Sequence, residues 1–272
     1  MKKLITVIIL VHLSFSAVLS QSEDKFRFGL GVTAQPSWLR SNDTKRVDPS
    51  GAVFGSGFGL VFDYKLKEHL SIFSGIGGDF EGGWQDFKDT VYYVVNSDDE
   101  IQPFENQFVD SSIVSTYMLQ RRKLRTTAIS IPIILKMSLD EMKGVKYFGQ
   151  FGMNLGYLVK TRSTDEVKQV YVNGADKGYT EETLTDFNPF DGTIPIRMGL
   201  NVGIGGEYKL KGTSSLFCSI NYVHQFINTF KESTDYYANK ISKNSSGVKV
   251  LTDRAKMTAY GSAIQINFGI FF

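Results

Sequence analysis

Bulky apolar residues alternate with small or polar residues in eight segments of the chain, the pattern expected for β-strands with one apolar face. The pattern is clearest in the last fifteen residues, TAYGSAIQINFGIFF. One face of this segment carries Tyr260, Ile264, Ile266, Phe268, Ile270 and Phe272, and the other carries Ala259, Gly261, Ala263, Gln265, Asn267 and Gly269. An apolar strand ending in an aromatic residue is what an outer-membrane β-barrel presents to lipid.

The links between the segments alternate in length. The predicted strands cover approximately residues 26–38, 53–66, 70–80, 127–139, 145–159, 194–210, 216–226 and 258–272. Short links follow the second, fourth and sixth strands, and long links follow the others, at approximately residues 39–51, 81–126, 160–193 and 227–255. This alternation is typical of an up-and-down barrel with tight periplasmic turns and long external loops. We therefore predict an all-β fold, an eight-stranded antiparallel up-and-down transmembrane β-barrel with both termini in the periplasm.

Alternation alone does not exclude a soluble barrel that binds an apolar ligand inside. The strands reach ten or more residues, which suffices to cross a membrane, and the second face is rich in Gly, Asn and Gln. Its charges have mixed signs and are predicted to pair inside a narrow, side-chain-filled interior: Arg27, Asp63, Lys65, Asp79, Lys136, Arg197 and Glu207. Because hydrocarbon excludes open sheet edges, the first strand must pair with the eighth.

Aromatic residues near the predicted strand ends suit the two girdles of a membrane barrel. They are Trp38, Tyr64, Trp84, Tyr147, Tyr157, Tyr208, Tyr222 and Tyr260. Ordinary packing explains each of them equally well, so only the set as a whole supports the membrane interpretation.

The amino-terminal twenty residues predict a secretory signal peptide. Lys2 and Lys3 precede an apolar stretch from Leu4 to Leu13, and cleavage is expected after Ser20. The remaining residues, 21–272, are predicted to form one outer-membrane barrel domain. The net charge of +2 gives no basic field for nucleic acid, and a single cysteine, Cys218, excludes a disulfide within the chain.

Three motifs resemble the PorT-like outer-membrane β-barrel family. They are ISIPIILK at Ile129–Lys136, YFGQFGMNLGYL at Tyr147–Leu158 and FRFGLGVTAQPSWL at Phe26–Leu39. The resemblance implies an eight-stranded outer-membrane barrel. The namesake of the family is associated with a protein secretion system, but membership implies the architecture rather than that role.

Few residues suggest chemistry. His12 belongs to the predicted signal peptide, His69 to a short turn, and His224 is expected to face lipid. A Ser/His pair there would hydrolyse lipid esters, yet no serine stands two positions from His224 on its own strand, which leaves only a neighbouring strand to supply one. The run Asp98-Asp99-Glu100 lacks the spacing and glycine of a calcium loop, and Gly203, Gly205 and Gly206 follow no strand-to-helix transition. We predict no catalytic, cofactor-binding or metal-binding residue.

The sequence thus favours a non-enzymatic, monomeric barrel that contacts outer-membrane lipid and meets a protein partner through its external loops, with an accessory role in secretion or envelope assembly. A lipid-modifying enzyme and a soluble secreted barrel are the alternatives. The barrel-insertion machinery is expected to recognise Phe272.

Overall fold

The computed structural model describes residues 25–104, 113–172, 175–210, 212–231, 235–243 and 249–272, so the predicted signal peptide lies outside the described residues. The described chain is almost entirely β-structure, with one 3₁₀ turn at Phe190–Gly192. Its strands are β1 Phe26–Arg40, β2 Val47–Lys67, β3 Leu70–Asn96, β4 Ile101–Gln102, β5 Ile113–Met142, β6 Val145–Val172, β7 Ala175–Phe187, β8 Ile196–Lys209, β9 Ser215–Gln225, β10 Ala238–Lys243, β11 Lys249–Arg254 and β12 Tyr260–Phe271. Within these ranges no helix has the length and apolarity required to span a membrane.

Eight of the described strands pair antiparallel in a closed ring, in the order β1, β2, β3, β5, β6, β8, β9, β12 and back to β1. The closing pair places Gly29 opposite Phe271 and Arg40 opposite Tyr260, which confirms the expected contact between the first and last membrane strands. The predicted short links are also confirmed. In the two-residue link between β5 and β6, Lys143 and Gly144 both have positive φ, as in a type I′ hairpin turn.

The outward face of the ring is apolar. Phe28, Leu30 and Val32 of β1 are 51%, 53% and 57% exposed, and alternate residues on the other ring strands follow the same pattern. Inward residues such as Gln265, Asn221 and Asn201 are buried. The predicted assignment of faces, with Gln265 and Asn267 inward and the apolar face toward lipid, therefore matches the structure.

The long links are where the sequence prediction is wrong. β3, β5 and β6 continue far beyond the predicted strands and reach 27, 30 and 28 residues. The segment Val91–Val95 was predicted to be a loop because it shows no alternation, but all five of its residues are buried in β3. Bulges between Asp86 and Val91, and between Leu119 and Arg121, further disturb the period of two.

The sheet continues beyond the ring, at the end opposite the short turns, through the extended parts of β3, β5 and β6. We call this extension, with β4, β7, β10 and β11, the distal module. Its strand order is β11, β10, β3, β5, β6, β7, and β4 also pairs with β3. Apolar side chains cover both faces of the sheet. One cluster includes Val91, Tyr93 and Val95, and the other includes Tyr92 and Val94.

Candidate functional site

Four charged side chains close the interior of the ring near the short turns. Lys136 Nζ lies 2.9 Å from Glu207 Oε2 and 3.3 Å from Asp63 Oδ2, and Arg27 hydrogen-bonds to both carboxylates. Two cations and two anions thus neutralise each other across four strands. Pairing of these residues was predicted from their mixed signs and inward parity, and the structure confirms it. Lys65, from the same predicted set, instead lies exposed at the mouth of the interior.

Four phenylalanines pack against this charge cluster, and sequence reasoning missed them because it expected only small or mutually paired side chains inside. The rings of Phe217 and Phe271 lie 4.9 Å apart, and Phe73 contacts both edge-on. Lys136 Nζ lies 4.5 Å from the centre of the Phe148 ring. The inward glycines were the available signal, since a Cβ on Gly269 would lie 2.3 Å from the Phe217 ring.

Amide side chains fill the middle of the interior. Gln150 donates to Asn221 at 2.5 Å, Asn201 donates to Asn154 at 3.1 Å, and Gln265 donates to Gln35 at 2.7 Å. A cavity of about 90 Å³ lies between these amides, lined by Asn154, Asn201 and Asn221 among others. Paired amide side chains therefore occupy the middle of the interior in the described strands.

A third interior layer lies toward the distal module. Arg197 pairs with Glu81 and donates to Thr126 Oγ1 at 2.7 Å, and Gln225 donates to Glu81 at 2.7 Å. Arg197 therefore points inward, as predicted, and pairs there with the carboxylate of Glu81. Asp79, the last member of the predicted set, lines the middle cavity instead of joining either charged layer.

The distal module contains a fully buried ion pair. Arg122 of β5 donates from Nε and Nη2 to the two carboxylate oxygens of Asp165 on β6, at 2.8 and 2.6 Å. Both side chains are 0% exposed. Arg122 also donates to the hydroxyl oxygen of Tyr237 at 2.7 Å, and Tyr93 donates to Asp165 at 3.0 Å. The Asp165 carboxylate thus accepts three hydrogen bonds, two from Arg122 and one from Tyr93.

Aromatic rings enclose this ion pair. The Arg122 guanidinium lies 5.7, 5.6 and 5.9 Å from the ring centres of Tyr93, Tyr237 and Phe230. Burial, followed by the Asp165 charge, raises the pKa of Tyr93 well above its ordinary value, so its hydroxyl stays protonated and can donate. The arrangement fixes β3, β5 and β6 to the segment that carries Tyr237. The distal module is therefore a packed unit and not a set of flexible loops.

The structure pairs His224 with a serine on the neighbouring strand. Ser262 of β12 stands opposite His224 of β9, and Ser262 Oγ lies 2.9 Å from His224 Nδ1. The His224 ring stacks on Tyr222, and Ser262 is only 2% exposed. In the described part of the chain no carboxylate pairs with His224. The serine–histidine contact is the one that a hydrolase triad uses to activate its nucleophile. The described residues supply no carboxylate to orient the histidine, which is the third member of such a triad.

The other candidate motifs make local structural contacts. The Asn96 side chain accepts hydrogen bonds from the backbone N–H groups of Asp98 and Glu100, as in a local turn. The described residues contain no group of three His, Cys, Asp or Glu side chains that could hold a metal ion. Gly203 and Gly205 lie inside the ring, where a Cβ on either would collide with Asn221 or Phe148.

Comparison with known proteins agrees with this architecture. A family model described as outer membrane protein beta-barrel domain matches residues 13–231. Similar solved structures include Neisserial surface protein A (11% identity, 90% of this chain and 97% of that chain, TM-score 0.38). Another is the outer membrane protease OmpT of Escherichia coli (10% identity, 92% of this chain and 96% of that chain, TM-score 0.40). A third is OprG of Pseudomonas aeruginosa (9% identity, 90% of this chain and 93% of that chain, TM-score 0.35). No curated protein sequence matches the chain. The chain belongs to the outer-membrane β-barrel domain family, which implies that it resides in the outer membrane.

Proposed function

We propose that this protein is a non-enzymatic interaction protein that holds the distal module outside the cell and presents it to a protein partner. The buried Arg122–Asp165 pair carries the proposal. A buried ion pair enclosed by aromatic rings defines one arrangement of strands, and a defined surface binds a partner at a lower entropic cost than loops do. The filled interior supports a role for the surface rather than for a pore.

The proposal includes finer features of the architecture. The membrane part is an eight-stranded barrel of the PorT-like type, made after a signal peptide is removed, with its short turns in the periplasm. The closed ring of strand pairs supports the strand number, and the position of the short turns supports the orientation. Such a barrel closes without help from a second chain, which favours a monomer. An accessory role in secretion or envelope assembly is compatible with this architecture.

The surface best suited to a partner is the outer edge of β7. This strand pairs with β6 alone in the described sheet, and its residues from Ala175 to Glu182 are all exposed. An unpaired edge offers backbone N–H and C=O groups to an additional strand. Four acidic side chains on β7 favour a partner segment with basic residues: Asp176, Glu181, Glu182 and Asp186.

Site-specific photo-crosslinking in intact cells tests this proposal. We expect a photoreactive residue at the exposed Thr183 to give a discrete protein adduct, because an added strand would lie within a few ångströms of it. Leu139, exposed on the lipid-facing side of the ring, is the matched control and should give lipid adducts alone. Protein adducts that are absent at Thr183 and at the neighbouring β7 positions would contradict an interaction through this edge.

The contact between His224 and Ser262 favours a second candidate, a lipid-modifying enzyme. Under the leading proposal, Ser262→Ala leaves the composition of the surrounding lipid unchanged, because a covered serine without a complete triad is a weak nucleophile. Mass spectrometry of lipids after incubation with purified protein measures this. Deacylated lipid that forms with the wild type and disappears in both Ser262→Ala and His224→Ala would establish the enzyme instead.

A further inference from the structure

A group of cations lies on the outward face of β5 and β6, immediately beyond the apolar band. We call Lys123, Arg125, Lys160 and Arg162 the basic belt. The strand register places Arg125 opposite Arg162 and Thr127 opposite Lys160. Lys123 stands opposite Trp84 of β3, with its Nζ 4.8 Å from the centre of the indole ring. The belt therefore lies on two adjacent strands, and Trp84 flanks it on a third.

The parity of the strands directs the belt outward. Arg122, Leu124 and Thr126 of β5 are buried inside, so Lys123 and Arg125 must point to the outside. Ile129, the second outward position after Arg125 on the same strand, is 48% exposed in the apolar band, and Tyr157 opposite it is 56% exposed. The belt thus begins next to the exposed Val159, at the edge of the apolar band.

The belt has more positive charge than the protein neutralises. Asp186 lies 3.2 Å from Arg162, and its carboxylate is largely exposed. In the portions of the chain that the structure describes, no carboxylate pairs with Lys123, Arg125 or Lys160. Arg125 and Arg162 stand directly opposite each other, and like charges in that position destabilise a sheet. An anion between them would convert repulsion into two charge-assisted hydrogen bonds.

We infer that the basic belt binds the phosphate groups of a phosphorylated lipid headgroup in the outer leaflet. The inference rests on the proposed orientation, with the distal module outside. Arginine binds phosphate through two parallel hydrogen bonds, and lysine adds an unspecific positive charge. Trp84 beside Lys123 adds an amphipathic ring of the type found at the membrane interface. Acyl chains of the same lipid would lie along Ile129 and Tyr157.

Native mass spectrometry of the full chain in neutral detergent, titrated with lipid A, tests this inference. The belt variant is Lys123→Gln with Arg125→Gln and Lys160→Gln. Each removed cation should weaken binding about fivefold, so the triple variant should lose about a hundredfold in affinity. The control variant, Lys65→Gln with Lys67→Gln and Lys209→Gln, removes three exposed cations at the short-turn end and should bind within about twofold of wild type.

Two further ligands identify the source of the phosphate. Dephosphorylated lipid A should bind the wild type as weakly as intact lipid A binds the belt variant, and inorganic phosphate should not compete at equal concentration. Equal weakening in the belt and control variants would overturn the inference, because it would show attraction by net charge alone. Tight binding of inorganic phosphate would also overturn it. If the triple belt variant fails to fold, the single variants Arg125→Gln and Lys65→Gln make the same comparison between belt and control positions.

Discussion

Replacement of Arg122 by Met is expected to unfold the distal module while the membrane ring stays folded. The change leaves the Asp165 carboxylate buried and without its cation, which costs about 3–5 kcal/mol. Native-state hydrogen exchange should show amide protection in Val91–Val95 falling by at least about a hundredfold. Protection in the lipid-facing part of β5, around Ile131, should stay within about threefold of wild type, because those hydrogen bonds belong to the ring.

Arg121→Met is the matched control. Arg121 is adjacent in sequence, but the side chains of Arg121 and its partner Asp86 are 39% and 44% exposed, whereas those of Arg122 and Asp165 are 0% exposed. Exposed pairs contribute about 0–1 kcal/mol, so protection of the distal module should change by no more than about fivefold. Similar losses in the two variants would contradict the importance assigned to the buried pair. A loss of protection throughout the ring would contradict the separation of the two units.

Replacement of Lys136 by Met is expected to destabilise the membrane ring by about 3 kcal/mol. The variant leaves Asp63 and Glu207 with Arg27 as their one remaining cation in this cluster, so the interior acquires an uncompensated negative charge. Urea unfolding in micelles, followed by the gel mobility of the folded and unfolded forms, measures the loss. Vesicles that contain the wild-type protein should show no solute flux, since the same cluster fills the interior.

A second substitution separates charge from packing. In Lys136→Met with Asp63→Asn, one cation faces one anion again, so at least half of the lost stability should return. Lys209→Met, at an exposed position near the same end, should change stability by less than about 0.5 kcal/mol. If the double variant is no more stable than Lys136→Met, then the contacts of Lys136 with the Phe148 and Phe271 rings, and not charge balance, explain the effect.

The ring was predictable because every ring strand has one face toward lipid and one face toward the interior. Lipid on one side and a narrow interior on the other force alternation, as at Ile129, Ile131 and Ile133, which are all outward and exposed. The same asymmetry indicated that Arg27, Asp63, Lys136 and Glu207 point inward. Their individual pairings depend on strand register and tilt, which a single sequence does not specify.

The distal module was not predictable by the same reasoning, because both faces of its sheet are covered. A strand buried on both sides shows a continuous apolar run, such as Val91–Val95, which periodicity does not distinguish from other buried segments. Arg122 stands in the run Gln120-Arg121-Arg122-Lys123 and differs from its neighbours only in where its side chain points. The contact between Ser262 and His224 likewise depends on the register of β9 and β12.

The uninterrupted course of β3, β5 and β6 has a mechanical consequence. β5 alone contains 30 residues, a contour of about 100 Å, and it stays paired with β6 on both sides of the irregularity at Thr127 and Ala128, where its lipid-facing and distal parts meet. A pull on the distal module along the strands would load the inter-strand hydrogen bonds in shear, so many bonds would share the force at once. The distal module is therefore connected stiffly to the ring. A partner bound to it would be held at a constant height above the bilayer.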